Sequence, residues 1–183
     1  MTPDRLHFTG SDEADRLLAE SPLALLIGFA LDQQVTVPVA FSGPLKLQQR
    51  IGTLDAGRIA ALDPSDLEQA FREKPAIHRY PGSMADRVQE LCRTIADDYG
   101  GDAARVWTEA TDADDLRKRI GGLPGFGPMK ITSLGSVLAK RYDLTQARAL
   151  VPDHPTLGDV DSPEALERFQ AAKRAYKASL RSR

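Results

Sequence analysis

Apolar residues recur along this chain at helical spacing. Val88, Leu91, Cys92, Ile95, Ala96 and Tyr99 follow the rhythm of an amphipathic helix, and Leu166, Phe169, Tyr176 and Leu180 repeat it near the C-terminus. Ser21-Pro22, Asp63-Pro64 and Ser162-Pro163 each place a capping side chain before a proline, whose missing N–H is not needed at a first helical position. Ser83-Met84-Ala85-Asp86 and Thr111-Asp112-Ala113-Asp114 add starts that resemble a capping box. The pattern predicts an almost wholly α-helical protein. One segment is ambiguous: Val35 to Phe41 alternates like an exposed strand, although Pro38 argues against a central one.

A length of 183 residues fits one domain, or two small lobes sharing a core. No repeat, low-complexity tract or clean domain boundary interrupts it. Twenty-four basic residues against 26 acidic ones, with 42% apolar residues, exclude a disordered chain. The longest apolar run, Leu23 to Leu31, is far short of the ~20 residues that span a bilayer. The start of the chain lacks the basic residues of a signal peptide, so a cytoplasmic protein is expected. The single cysteine, Cys92, excludes an internal disulfide, a zinc site built on several thiolates and a four-cysteine iron–sulfur cluster. His7 and His78 lack metal-ligand spacing, and Trp107 and Cys92 read as core.

The strongest chemical signal is Gly121-Gly122-Leu123-Pro124-Gly125-Phe126-Gly127-Pro128-Met129-Lys130, set between helical patterns at Asp112–Ile120 and Pro128–Tyr142. Residues 112–142 therefore read as a helix–turn–helix. Glycines at 125 and 127 are expected to allow positive φ and close backbone approach, leaving amides of the second helix facing an anion such as a DNA phosphate. A plain αα-hairpin with glycine caps would also fit a Gly-x-Gly taken alone. The longer Leu-Pro-Gly-Phe-Gly stretch resembles the hairpin of the helix-hairpin-helix (HhH-GPD) base-excision DNA glycosylases. Leu25 to Thr36, with Asp32-Gln33-Gln34, resembles the helix and glutamine-bearing loop of endonuclease III and its relatives, and Pro81 to Val88 resembles their second DNA-facing turn. With the loop around Asp153, the likeness covers residues 22–160. It turns Val35–Phe41 into helix, with Thr36 capping and Pro38 in the first turn.

That resemblance implies an all-α, two-lobed fold without an iron–sulfur cluster. Residues 1–24 with 136–183 would form one lobe and 25–135 the other, which carries the hairpin, with double-stranded DNA across the cleft. It implies that Gln34 fills the gap left by a flipped base. Ser83, Leu123, Gly125, Gly127 and Lys130 would touch the DNA, and the carbonyls of Leu123 and Phe126 would hold a monovalent cation. Pro128 removes one amide from that anchor. Met129, Ser133 and Ser136 share a face expected to line the cleft, while Ile131, Leu134 and Leu138 form the core stripe. The family's catalytic aspartate maps to Asp153 in one register and leaves His154 there in another; a carboxylate keeps its negative charge at neutral pH and imidazole offers none.

Members that also cleave the strand use a lysine two residues after the second hairpin glycine, where this chain has Met129. Lys130 is one residue on, a rotation of ~100° on a helix. The implied function is therefore a monofunctional base-excision DNA glycosylase acting on a damaged base, as a monomer in the cytoplasm at a bacterial nucleoid. Two alternatives stay open: a non-catalytic helix-hairpin-helix DNA-binding protein, and a glycosylase with lyase activity through Lys130. Net charge −2 restricts a DNA footprint to local runs. These are Arg117-Lys118-Arg119, the arginines and lysine from 72 to 93, and Arg168, Lys173, Arg174, Lys177, Arg181 and Arg183.

Overall fold

The computed structural model describes residues 2–182, and among these it contains helices and no strand. Ser11 caps α1 (Asp12–Glu20), and Ser21 caps α2 (Pro22–Leu31) by accepting a bond from the Ala24 N–H at 3.1 Å. Every position of α2 from Leu23 to Leu31 is buried, so this helix is the central rod of the core. The ambiguous segment is helical: α3 (Val37–Ile51) starts at Val37, with Pro38 in its first turn, although the Thr36 side chain makes no capping bond. Then come α4 (Ala56–Ala61), α5 (Pro64–Arg72) behind its Asp63 cap, and α6 (Pro81–Asp98).

Two expected starts move. α6 begins at Pro81 and not behind a Ser83 cap, because the proline ring already fixes helical φ two residues earlier. After α7 (Arg105–Thr108), α8 (Ala113–Gly121) is capped by Asp112, whose carboxylate accepts from the Asp115 N–H at 2.8 Å; Thr111 lies one residue outside. The hairpin leads into α9 (Pro128–Arg141). Two 3-10 turns, Thr145–Leu150 and Leu157–Asp159, bring the chain back along α9 before α10 (Pro163–Arg181).

The helices share one continuous core. α1 packs on α2 and α3, α4 and α5 pack on α6, and both 3-10 turns pack on α9. The α2–α3 crossing is close because a Cβ at Gly28 would lie 2.3 Å from Phe41. The Phe41 ring fills that space and meets Phe29 and Phe8 edge-on at 5.1 and 5.0 Å. The apolar stripe expected along α10 ends early. Ala165 and Leu166 are buried, but Tyr176 and Leu180 are exposed, because α10 runs past the body it would have to pack against. No described helix is long and apolar enough to cross a membrane.

Candidate functional site

α8 ends at Gly121 with Gly122 as its C-cap, and the turn that follows is closed by bonds from the Leu123 N–H to the Ile120 carbonyl and from the Phe126 N–H to the Leu123 carbonyl, both at 3.1 Å. Leu123 and Phe126 bury their side chains and so fix the turn to the core. Gly125 has φ +79°, the left-handed region that favours glycine. Gly127 departs from expectation: its φ of −86° suits any residue, and a Cβ there would meet nothing within 4 Å. Neither the fold nor its packing calls for glycine at 127. What the missing side chain leaves is bare backbone at the start of α9, where the Met129 and Lys130 amides have no helical carbonyl to donate to.

The α2–α3 turn sits beside this hairpin. Gln34 has φ +58°, uncommon for a residue other than glycine. His78, buried before α6, braces the turn: its Nε2 lies 3.1 Å from the Leu31 carbonyl and 3.0 Å from that of Gln33. Its Nδ1 accepts from the Tyr80 N–H at 3.0 Å, an arrangement that assigns the proton to Nε2. Burial, foremost, holds its pKa below the usual histidine value, consistent with a neutral ring. The Tyr80 hydroxyl donates to Gln34 Oε1 at 3.2 Å, with the Arg79 guanidinium 5.1 Å from the Tyr80 ring.

Arg87, on α6, joins turn and hairpin. It donates to Gln33 Oε1 at 2.9 Å and lies against Gly125, where a Cβ would come within 2.9 Å of its guanidinium. Lys130 reaches across from α9, its Nζ 3.4 Å from the Ala30 carbonyl and 5.7 Å from the Phe126 ring centre. Burial lowers the Lys130 pKa, Arg87 lowers it further and Asp32 opposes them. Asp32, the C-cap of α2, responds in the opposite sense. Burial raises its carboxyl pKa against the pull of Lys173, Lys130 and Lys177.

The other expected residues are more scattered. Met129 is 87% exposed, Ser83 is exposed in the first turn of α6, and Ser133 is half-buried on α9. Ser136 does not line a cleft: it is fully buried under Gly158, and its hydroxyl donates to the Thr132 carbonyl at 2.8 Å. Asp153 and His154 stand on an exposed loop, where the only bond of either side chain among the described residues is from His154 Nδ1 to the Pro155 carbonyl, at 3.3 Å. Nearby Asp159 has a structural task, accepting from the Thr156 N–H at 2.8 Å and pairing with Lys140. Burial alone would raise the Asp159 pKa, but the bonds from Lys140 and Thr156 outweigh it and lower it.

Charge is distributed differently from the three basic runs of the sequence. Arg72, Arg117 and Arg119 are each paired with a carboxylate, so the run leading into the hairpin is largely neutralised. By contrast, Arg79, Lys173, Arg174 and Lys177 belong to no ion pair among the described residues. These four cations line a groove of about 410 Å³ between α10 and the Gln34–Val37 turn. Sequence reasoning gave Asp32, His78 and Tyr80 no role. Asp32 lies inside a recognised motif and Tyr80 just before another, and a histidine that bonds two carbonyls across the fold leaves no spacing to find.

A family model described as HhH-GPD superfamily base excision DNA repair protein matches residues 27–181. In the other two comparisons, no curated protein and no solved structure matches the chain.

Proposed function

Because the chain belongs to the HhH-GPD superfamily of base excision DNA repair proteins, we propose that it is a DNA glycosylase that hydrolyses the N-glycosidic bond of a damaged, flipped-out base and leaves an abasic site. The observation that carries this reading is the coupling of the hairpin to the α2–α3 turn through Arg87, beside bare backbone at Gly127. A glycosylase must hold the phosphates beside its target nucleotide and fill the gap the base leaves. The amides of Gly125, Gly127, Met129 and Lys130, with Ser83, serve the first task. Gln34, set by its left-handed backbone and held by Tyr80, serves the second.

The DNA would lie across the cleft between the lobe of residues 25–135 and the lobe of 1–24 with 136–183, with its phosphates also meeting the unpaired cations of α10. The Leu123 carbonyl keeps a lone pair beyond its bond to the Phe126 N–H. With the Phe126 carbonyl it suits a monovalent cation, which would brace the turn. Asp153, or His154 in the other register, would face the sugar; a carboxylate there stabilises the oxocarbenium-like centre or takes the proton of the attacking water.

Met129, a thioether where lyase members carry their amine, supports monofunctional hydrolysis. One observation favours a second reading, lyase activity through Lys130: burial there raises the fraction of free, nucleophilic amine. Duplexes carrying single lesions separate the readings. Hydrolysis alone gives free base and strand breaks only after alkali. Breaks without alkali, with a borohydride-trapped adduct lost in Lys130→Ala, would establish the lyase. Binding to an abasic-site analogue with no base release would leave a non-catalytic DNA-binding protein.

A further inference from the structure

One face of α10 is basic where a helix facing a core would be apolar. Between Arg168 and Arg181 the helix carries five basic residues and no acidic one, in a chain whose net charge is −2. Lys173 with Lys177, and Lys177 with Arg181, are like charges four residues apart, a spacing that disfavours a helix unless an opposite charge offsets it. The fold supplies no offset, because none of the three makes an ion pair among the described residues. Gln170, Lys173, Arg174 and Lys177 follow one another at i, i+3, i+4 and i+7, so they share one side of α10. With Arg79 they line the groove of about 410 Å³ against Gln34–Val37. Four positive charges around so small a space suit phosphates, not a neutral base.

Consecutive residues of the α2–α3 turn serve two different surfaces. Gln33 is tied to the hairpin by Arg87, which lies against Gly125, whereas Gln34 lines the groove, and no hairpin residue does. The end of α2 lies within reach of both surfaces, since Lys130 from α9 and Lys173 and Lys177 from α10 all act on Asp32. A side chain that enters the minor groove of DNA, ~6 Å wide, has a sugar–phosphate backbone on either side of it. With Gln34 in that position, the hairpin amides meet one backbone and the cations beyond Gln34 meet the other. Resting on the glycosylase reading, in which the hairpin holds the damaged strand, we propose that the groove between α10 and Gln34–Val37 binds the phosphates of the undamaged strand. Arg79 and Arg174 present planar forks that match a phosphate, and Lys173 and Lys177, one helical turn apart, add point charges. The protein is then built for a duplex: a single damaged strand occupies the hairpin and leaves the groove unused.

The test is binding of the wild type and of the triple variant Lys173→Gln, Arg174→Gln, Lys177→Gln to a duplex carrying an abasic-site analogue. Single phosphates near the analogue are replaced by neutral methylphosphonates in one strand or the other. Neutralising an undamaged-strand phosphate that the groove holds is expected to weaken wild-type binding about tenfold, the scale of one charge-assisted hydrogen bond, and to change binding by the variant less than about twofold. Neutralising the damaged strand beside the analogue should weaken both proteins alike, which also reports that the variant is folded. The wild type should bind the duplex more tightly than the analogue strand alone, and the variant should lose most of that preference. A wild type insensitive to every phosphate of the undamaged strand would overturn the proposal, whatever the variant does. A variant that instead loses its response to the damaged strand would overturn it too, by placing that strand in the groove. Base release is scored separately on duplexes with single lesions: the expected phosphate pattern with no base released would overturn the glycosylase reading and leave the strand assignment standing.

Discussion

At the scale of single residues, the two hairpin glycines separate fold from function. Gly125 is needed by the backbone, since φ +79° costs an ordinary residue roughly 1–2 kcal/mol and Arg87 occupies the space of its side chain. Gly127 is needed by neither, and as N-cap of α9 it holds a place where serine is at least as good. Gly127→Ser should therefore leave the melting temperature unchanged or raise it, and weaken DNA binding roughly tenfold, about 1.4 kcal/mol, by covering the amides. Gly125→Ala should lower stability first. Thermal melting with a DNA titration on both variants checks the contrast. The sequence reading located both glycines but assigned both a conformational reason. Which of the two has positive φ depends on how the turn closes, and the one-letter pattern does not carry that.

At the scale of elements, prolines and caps made most helix starts legible. Pro22, Pro64 and Pro163 open α2, α5 and α10 as expected. Less legible was what each face meets. The spacing that puts Tyr176 and Leu180 in a stripe with Leu166 is real, but tertiary contact ends at about Phe169. The exposed half of α10 instead presents Lys173, Arg174 and Lys177 to the groove beside Gln34. Replacing all three by glutamine should leave the fold intact, as these side chains make no ion pair. If each meets one phosphate, the slope of log affinity against log salt should fall by about 0.9 per contact. An unchanged slope in a salt titration would remove α10 from the DNA footprint. The α2–α3 crossing makes the opposite prediction. Phe41 is fully buried between Phe8, Phe29 and Gly28, so Phe41→Ala should cost about 3–5 kcal/mol in denaturant unfolding.

For the whole molecule, a net charge of −2 and a DNA substrate are reconciled by pairing. Arg72 on α5, Arg105 on α7 and Arg117 and Arg119 on α8 are neutralised by nearby carboxylates, while Arg79, Lys173, Arg174 and Lys177 make no ion pair among the described residues. A sum over the sequence cannot reveal this, because it depends on which side chains meet. The same limit explains why the surroundings of Asp32 leave no signal in the sequence: they are assembled from α2, α9 and α10, with Lys130, Lys173 and Lys177 lying 98, 141 and 145 residues further along the chain. The all-α fold, by contrast, is written locally, in caps, prolines and spacing, and was legible almost throughout. The claim that binds these scales together is that the molecule removes damaged bases. Its most direct test is to incubate the protein with duplex DNA carrying pools of alkylated, oxidised and deaminated bases and to identify the liberated bases by mass spectrometry. The account predicts that one damaged base, or a small related set, appears free in solution with the wild-type protein and falls to background with Asp153→Asn. DNA that is bound yet yields no free base from any pool would contradict it.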